Sequence, residues 1–412
     1  SAKRSSRGRT ALRRRRPPMA PRPAAQKRLA RMPASLLAVL AVVGHVEALR
    51  SGRSKQGQQA GGPETASLLL ISSPSAGKVS YLQLSDLSAV RGTAQPLIDS
   101  GLGGPRGLAF DGATGKLYVA DPPSRKVLCY PLQARPCTAS ACQLDFELTV
   151  GGQQVVVAEN VLTSWVSVDI DGNLYYSDQA AMTVNRIDRS VLDRLSSKVL
   201  TSSDLKMVSE LELNALTAAA SLANGTAAER RARDAVDQRL QASIVALHEA
   251  DEGPNIGTPA GVVSDGTVAY WANQAQGIAK GSVVAGTASL QAPAGANKTI
   301  ALSNITDAAY GVASTYNKIL FTGGNGSIYS VSKATRATTV VSEAAASPRG
   351  LVWDGDNTVY LADMGGNMVY SLASGREGSN QPLQQVAGFP KPFGLSIMRA
   401  ADLQKLVDVT AA

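Results

Sequence analysis

The sequence predicts an all-β fold: a six-bladed β-propeller closed by pairing of the N- and C-terminal segments, with an inserted α-helical hairpin. Three observations lead there. One motif, a short strand, a turn and an alternating second strand, recurs along the chain. A first strand without a second stands near the C-terminus, and later strands without a first stand near the N-terminus. One interval between copies is far longer than the rest and lacks strand signals.

The clearest copies are Pro105–Pro122 (PRGLAFDGATGKLYVADP) and Pro348–Met364 (PRGLVWDGDNTVYLADM). A third is Ser164–Gln179, and weaker ones are Pro259–Gln274 and Ala309–Asn325. A sixth start, Pro392–Met398 (PFGLSIM), has no second strand after it, while Ser67–Leu84 supplies later strands without a first. A small sheet of this kind buries both faces only by stacking on copies of itself, which gives a ring. The orphan strand at Pro392–Met398 then completes the blade that begins at Ser67, and residues 66–398 form six blades with 399–412 left as a tail.

The long interval, residues 189–253, reads as a helical hairpin. Its first helix is expected over about Asp204–Ala223, and its second from a Thr226-Ala-Ala-Glu229 capping box to about Ala250. In the second, Val236, Leu240, Ile244 and Leu247 follow one another at helical spacing. Following what reads as an outermost strand at Val184–Ile187, the hairpin is expected on the face that carries the inter-blade loops, as a lid, a docking arm or a rim decoration.

LYVAD (117–121), LYYSD (174–178) and VYLAD (359–363), each after an apolar strand and a turn, resemble the NHL and YWTD-type six-bladed propellers. They are also similar to the related regucalcin/gluconolactonase-like and strictosidine-synthase-like group. WD repeats are set aside, since their Gly-His and Trp-Asp marks are missing. The resemblance spans roughly residues 66–190 and 255–398. It implies architecture more than activity, because this fold carries binding modules and enzymes alike.

Charge excludes one class of function. Of 41 Lys/Arg and 32 Asp/Glu, residues 1–48 hold 12 and 1, so residues 49–412 carry 29 and 31, a net of −2. The basicity belongs to the leader, and no nucleic-acid partner is expected. His45 and His248 are the two histidines, too few for histidine-held metal or triad chemistry.

Residues 1–48 are expected to be a leader containing a signal peptide that starts at about Met19. A basic stretch, an apolar run Leu36–Val43 and the small residues Val46 and Ala48 follow in order. The run is shorter than the ~20 residues that span a bilayer, so no transmembrane anchor is expected. Residues 49–65 read as a polar linker. Sequons at Asn224, Asn297, Asn304 and Asn325 fit a glycoprotein of the secretory pathway, extracellular or in an organelle lumen. Cys137 and Cys142 are either a small-loop disulfide, leaving Cys129 a buried thiol, or unpaired like it.

The end-of-strand acids Asp121, Asp178 and Asp363 recur once per blade, with Asn273 in the same place in another. Repetition assigns them a structural task, such as accepting amide hydrogen bonds from a neighbouring blade. Asp111, Asp171 and Asp354 are explained by turn chemistry. Arg106 and Arg349 stand at the mouth of an inner strand, as channel anion contacts or rim ion pairs. The resemblance to gluconolactonase-like enzymes implies an oxygen-ligated divalent metal, and Glu343, Asn160 and Asp307 are its candidates here, with Ca2+ the cofactor. The strictosidine-synthase-like option needs a buried Glu, for which Glu159 and Glu343 are placed nearest; no catalytic residue stands out. Two functions follow: a binding or assembly module that holds a protein partner or small ligand on the loop face, and a calcium-dependent lactonase/esterase-type hydrolase. The scarcity of channel acids favours the first, a non-enzyme that needs no cofactor.

Overall fold

A computed structural model describes residues 67–412 except 85–89, 138–143, 145, 250–254, 275–280, 290–298, 305, 377–379 and 412. Of residues 210–226 it describes only Glu212, Ala215 and Ala218, all helical. The expected leader and linker, Asn224, Asn297 and Cys142 lie outside the described residues.

Strands β1 (Ser67–Ser73), β2 (Lys78–Leu84) and β3 (Val90–Ile98) open the first blade. In the second, β4 (Leu108–Asp111), β5 (Lys116–Asp121) and β6 (Lys126–Pro136) follow, and both β7 (Phe146–Val150) and β8 (Val155–Glu159) pair with β6. The third begins with β9 (Val166–Val168), β10 (Leu174–Asp178) and β11 (Thr183–Ile187), and the insertion adds β12 (Lys206–Ser209) and β13 (Ser243–Glu249). The fourth holds β14 (Pro259–Ser264), β15 (Val268–Asn273), β16 (Ser282–Thr287) and β17 (Ile300–Asn304). The fifth is β18 (Ala309–Ser314), β19 (Lys318–Gly323), β20 (Ile328–Ser332) and β21 (Thr338–Ser342). The sixth is β22 (Pro348–Trp353), β23 (Thr358–Asp363), β24 (Met368–Ala373) and β25 (Gln384–Gly388). Last, β26 (Leu395–Met398) returns to pair with β1, from Leu68↔Met398 to Ile71↔Leu395. The ring is six-bladed and its first blade is a hybrid of both ends, as the orphan strands predict.

Alternation explains the closure. Leu68 and Leu70 point into the apolar cluster shared with the second blade, and Leu69 and Ile71 into the cluster shared with the sixth. Six such wedges fill the spaces between blades. The tandem tyrosines of LYYSD divide the same way, Tyr176 toward the second blade and Tyr175 toward the fourth.

The insertion differs from the expected hairpin. Its described elements include α1 (Arg189–Ser196), β12, α2 (Ala227–Leu240) and β13, and β13 pairs antiparallel with β11 while β12 pairs in parallel on its outer side. The expected second helix therefore stops at Leu240. Val236 and Leu240 do pack as one helical face. Ile244 and Leu247 belong to a strand instead and enter opposite wedges. An unbroken apolar run reads equally well as buried strand or helix, and the spacing from Val236 onward hid the change. In the expected first helix, Val208 lies on β12 and is fully buried.

This pairing also reverses the face. Because β13 is the fourth strand of its blade, the segment between β11 and β13 hangs where inner strands turn into second strands, here called the lower face. The upper face carries the connections between blades. The Arg189 amide donates to Asn173 Oδ1 at 3.1 Å, and Lys116 pairs with Asp193 at 3.1 Å, both at lower-face turns.

The expected tail is a helix, α3 (Ala400–Ala411), that buries Leu403 and Leu406 against the first and second blades. Leu403→Ala is expected to cost about 2–3 kcal/mol of unfolding free energy by urea titration. A loss under about 0.5 kcal/mol, the size of an exposed substitution, would mean that α3 is not docked in solution.

Candidate functional site

The inner strands approach most closely at one register. A Cβ placed on Gly394 or Gly311 would lie 2.0 Å from the carbonyl oxygen of Arg106 or Arg349 on the next blade. At Gly350 and Gly261 the gap is 2.4 Å, and at Gly107 it is 2.8 Å. The third blade carries Trp165 at this register, packed on Phe393 with ring centres 4.9 Å apart. The glycine in nearly every repeat start thus marks the constriction of the channel. Below it, a cavity of about 850 Å3 opens on the lower face.

Above it, the structure brings Arg106 and Arg349 together. Arg106 Nη1 donates to Ser164 Oγ at 2.8 Å, and its guanidinium lies over the Phe393 ring at 5.3 Å. The Arg349 guanidinium lies over the Tyr310 ring at 4.2 Å, and its Nη1 donates to the Pro348 carbonyl. Burial lowers the pKa of Arg106, and the charge of Arg349 lowers it further. Burial also lowers that of Arg349, against the opposing fields of Tyr310 and Asp363. Among the described residues neither guanidinium pairs with a carboxylate. Two half-buried cations that repel one another, stacked on aromatic faces, make a mouth of positive potential.

The acids at the ends of second strands shape this mouth. Asp121 accepts the amides of Gly103 and Gly104 at 3.0 and 2.7 Å. Asp178 accepts those of Leu162, Ala180 and Ala181. Asp363 accepts those of Ala346 and Ser347 at 2.9 and 2.7 Å, and of Gly365 and Gly366. Asn273 Oδ1 accepts the Gly257 amide at 3.1 Å. The tied segments lead into each acid's own blade rather than belonging to the body of a neighbour. The acids therefore fix how the chain arrives at the channel.

The metal candidates lie elsewhere. Asn160, Asp307 and Glu343 are exposed, on three different inter-blade connections. The Asn160 carbonyl accepts from Arg125 at 3.1 Å. Among the described residues no three His, Cys, Asp or Glu side chains converge as a metal would require. Glu159 ends β8 on the outer side of its blade.

Of the other candidates, Asn304 and Asn325 are exposed, and Asn325 Nδ2 donates to the Tyr329 hydroxyl at 2.8 Å. Cys137 is disulfide-bonded. Cys129 is a buried free thiol whose pKa burial pushes up to about 12, against the pull of Lys116, so it is a packing group rather than a nucleophile. His248 is buried, stacked on Trp271 at 4.8 Å, with Nε2 3.0 Å from the Thr287 carbonyl oxygen. No helix among the described residues is long and apolar enough to cross a membrane.

Sequence reasoning missed a group on the lower face. Tyr316, Trp353 and Arg399 line the cavity mouth, and no repeat marks them together because each comes from a different segment.

No protein-family model matches the chain, and no curated protein does. Solved structures share the fold. A chain of the nidogen/laminin complex is similar at a TM-score of 0.52 and 12% identity, over 80% of this chain and 98% of that one. A gluconolactonase from Xanthomonas campestris aligns at 0.45 and 13%, over 82% and 91%. Virginiamycin B lyase from Staphylococcus aureus aligns at 0.42 and 11%, over 81% and 89%. The likeness to the nidogen/laminin-complex chain shows the fold alone, the propeller architecture seen here as six blades.

Proposed function

We propose that the protein is a binding or assembly module of the secretory pathway whose partner docks on the upper face and places an anionic group between Arg106 and Arg349. One observation carries this reading: two guanidiniums are held half-buried at the channel mouth, and among the described residues neither forms an ion pair with a carboxylate. Folding alone gives no reason to keep such a pair, since burial and mutual repulsion both oppose it. A guanidinium fits a carboxylate with two parallel hydrogen bonds, which a partner could supply. The similar chain in the nidogen/laminin complex belongs to an assembly of two proteins. The exposed sequons at Asn304 and Asn325 support a luminal or extracellular location.

The test uses a fluorescein-labelled hexaglutamate peptide in anisotropy titrations at two salt concentrations, with Arg106→Gln and Arg349→Gln variants. Each variant is expected to weaken binding at least tenfold, the share of one charge-assisted pair. Its melting temperature should stay level or rise, because a repulsive charge is gone. Equal affinity of wild type and variants would remove the reading. The competing lactonase/esterase-type reading would have Asn160, Asp307 and Glu343 hold Ca2+. Calorimetric calcium binding by residues 49–412, with a melting shift that a chelator reverses, would favour it.

A further inference from the structure

We propose that the lower mouth of the channel is a second, separate binding site, and that its ligand is a small aromatic carboxylate. The two most exposed large apolar side chains among the described residues, Ile170 at 88% and Tyr316 at 77%, both stand on the rim of the 850 Å3 cavity. Apolar groups held in water around a concave opening mark a ligand mouth rather than scattered surface.

The rim carries a fixed aromatic corner. Tyr316 of the fifth blade meets Trp353 of the sixth edge to face, with ring centres 4.7 Å apart and planes at 83°. Trp353 Nε1 donates to the Asp356 carbonyl at 3.0 Å, which locks the indole. The Tyr316 hydroxyl reaches the Gly355 carbonyl at 3.5 Å. A planar ring entering the cavity has one aromatic face and one aromatic edge to pack against, an arrangement aromatic groups prefer.

A guanidinium completes the corner. Arg399 Nε donates to the Asp354 carbonyl at 3.0 Å, which leaves its two terminal nitrogens for other partners. The group lies flat on Gly355, where a Cβ would come within 2.4 Å of Nη2 and where φ is +92°, so glycine serves both needs. The other rim cations are already matched, Lys333 to Asp265 at 3.3 Å and Lys405 to Asp402 at 3.4 Å. The rim acids Asp111 and Asp169 accept the amides of their own turns, as does Asp354 just outside the lining. Among the described residues, Arg399 is therefore the cation lining this cavity that forms no ion pair. A ring against Tyr316 and Trp353 with its carboxylate on Arg399 satisfies all three side chains at once.

The probe is 2-naphthoate, titrated calorimetrically into the full chain, with neutral 2-naphthylmethanol in parallel. Saturable one-to-one binding is expected, at least fivefold weaker in Tyr316→Ala and in Arg399→Gln, and at least fivefold weaker for the alcohol. Tyr316 is so exposed that its truncation does not endanger the fold, and a melting curve on each variant checks this. Three results would overturn the proposal: no saturation at millimolar naphthoate, affinity unchanged in both variants, or loss in Arg106→Gln with retention in Arg399→Gln. The last would place the anion at the upper mouth and leave the proposed function standing. Naphthoate binding together with failure of the hexaglutamate titration would do the reverse.

Discussion

Gly394→Ala should be among the most damaging single-methyl additions in the molecule. The added carbon would sit 2.0 Å from the Arg106 carbonyl oxygen, and the obstacle is backbone, which cannot rotate away. Gly394 also anchors the closure. Its amide donates to Ser72 Oγ at 2.8 Å, and its carbonyl accepts the Ser72 amide at 3.0 Å. Separating the two inner strands would strain the contact between the chain's ends. Overpacking a tight site costs about 1–3 kcal/mol, and a clash with main chain belongs at or above the top of that range. A drop of at least about 3 kcal/mol in guanidinium titrations is the expected result. Gly388 is the control: nothing lies within 4 Å of its Cβ position, so Gly388→Ala should stay within about 0.5 kcal/mol of wild type. Equal effects at the two positions would mean that the constriction relaxes and does not define the channel.

The same glycines show why so much of the fold could be read from sequence. Pro-Arg-Gly-Leu and its weaker copies repeat because every blade but the third, which carries Trp165, meets the same steric demand at the axis, and Tyr-apolar-Ala-Asp repeats because every blade feeds two wedges. Strand periodicity and copy number fixed the ring, and Pro-Arg-Gly placed both arginines at one mouth. The insertion escaped because Ser243–Glu249 is buried on both faces and so loses the alternation that marks a half-exposed strand. Once β13 was missed, the third blade seemed complete at β11 and its inserted segment fell on the wrong face. The helix α3 escaped because it follows the closing strand, where no repeat position remains to be filled. The aromatic corner escaped for a topological reason. Tyr316, Trp353 and Arg399 come together because the ring closes, and only Trp353 lies in one of the strong repeats.

Asp363→Ala should be as costly as Gly394→Ala, and Asp363→Asn much milder. The carboxylate is 1% exposed and accepts four backbone amides: Oδ2 takes Ala346, while Oδ1 takes Ser347, Gly365 and Gly366. Alanine leaves these donors facing a void, and each buried orphan costs about 1–3 kcal/mol before any water enters. A loss of about 3–5 kcal/mol is expected after partial rehydration. Asparagine keeps one acceptor oxygen in the Oδ1 position and gives up the bond to Ala346, so about 1–2 kcal/mol should go. The fourth blade shows that the exchange can work: Asn273 accepts the Gly257 amide and turns its Nδ2 to the Asn255 carbonyl and Ser282 Oγ, each at 2.9 Å. The consequence extends to the upper mouth. Ala346 and Ser347 lie just ahead of Arg349, so the amides that Asp363 holds fix the segment that carries this guanidinium to the mouth. In material that remains folded, Asp363→Ala should weaken hexaglutamate binding as well as stability, whereas Leu403→Ala on α3 should affect stability alone. If the two variants, matched for melting temperature, bound the peptide equally, Asp363 would be a stability element without influence on the mouth. If Asp363→Asn proved as damaging as Asp363→Ala, the negative charge itself would be the requirement, and the equivalence with Asn273 would fail.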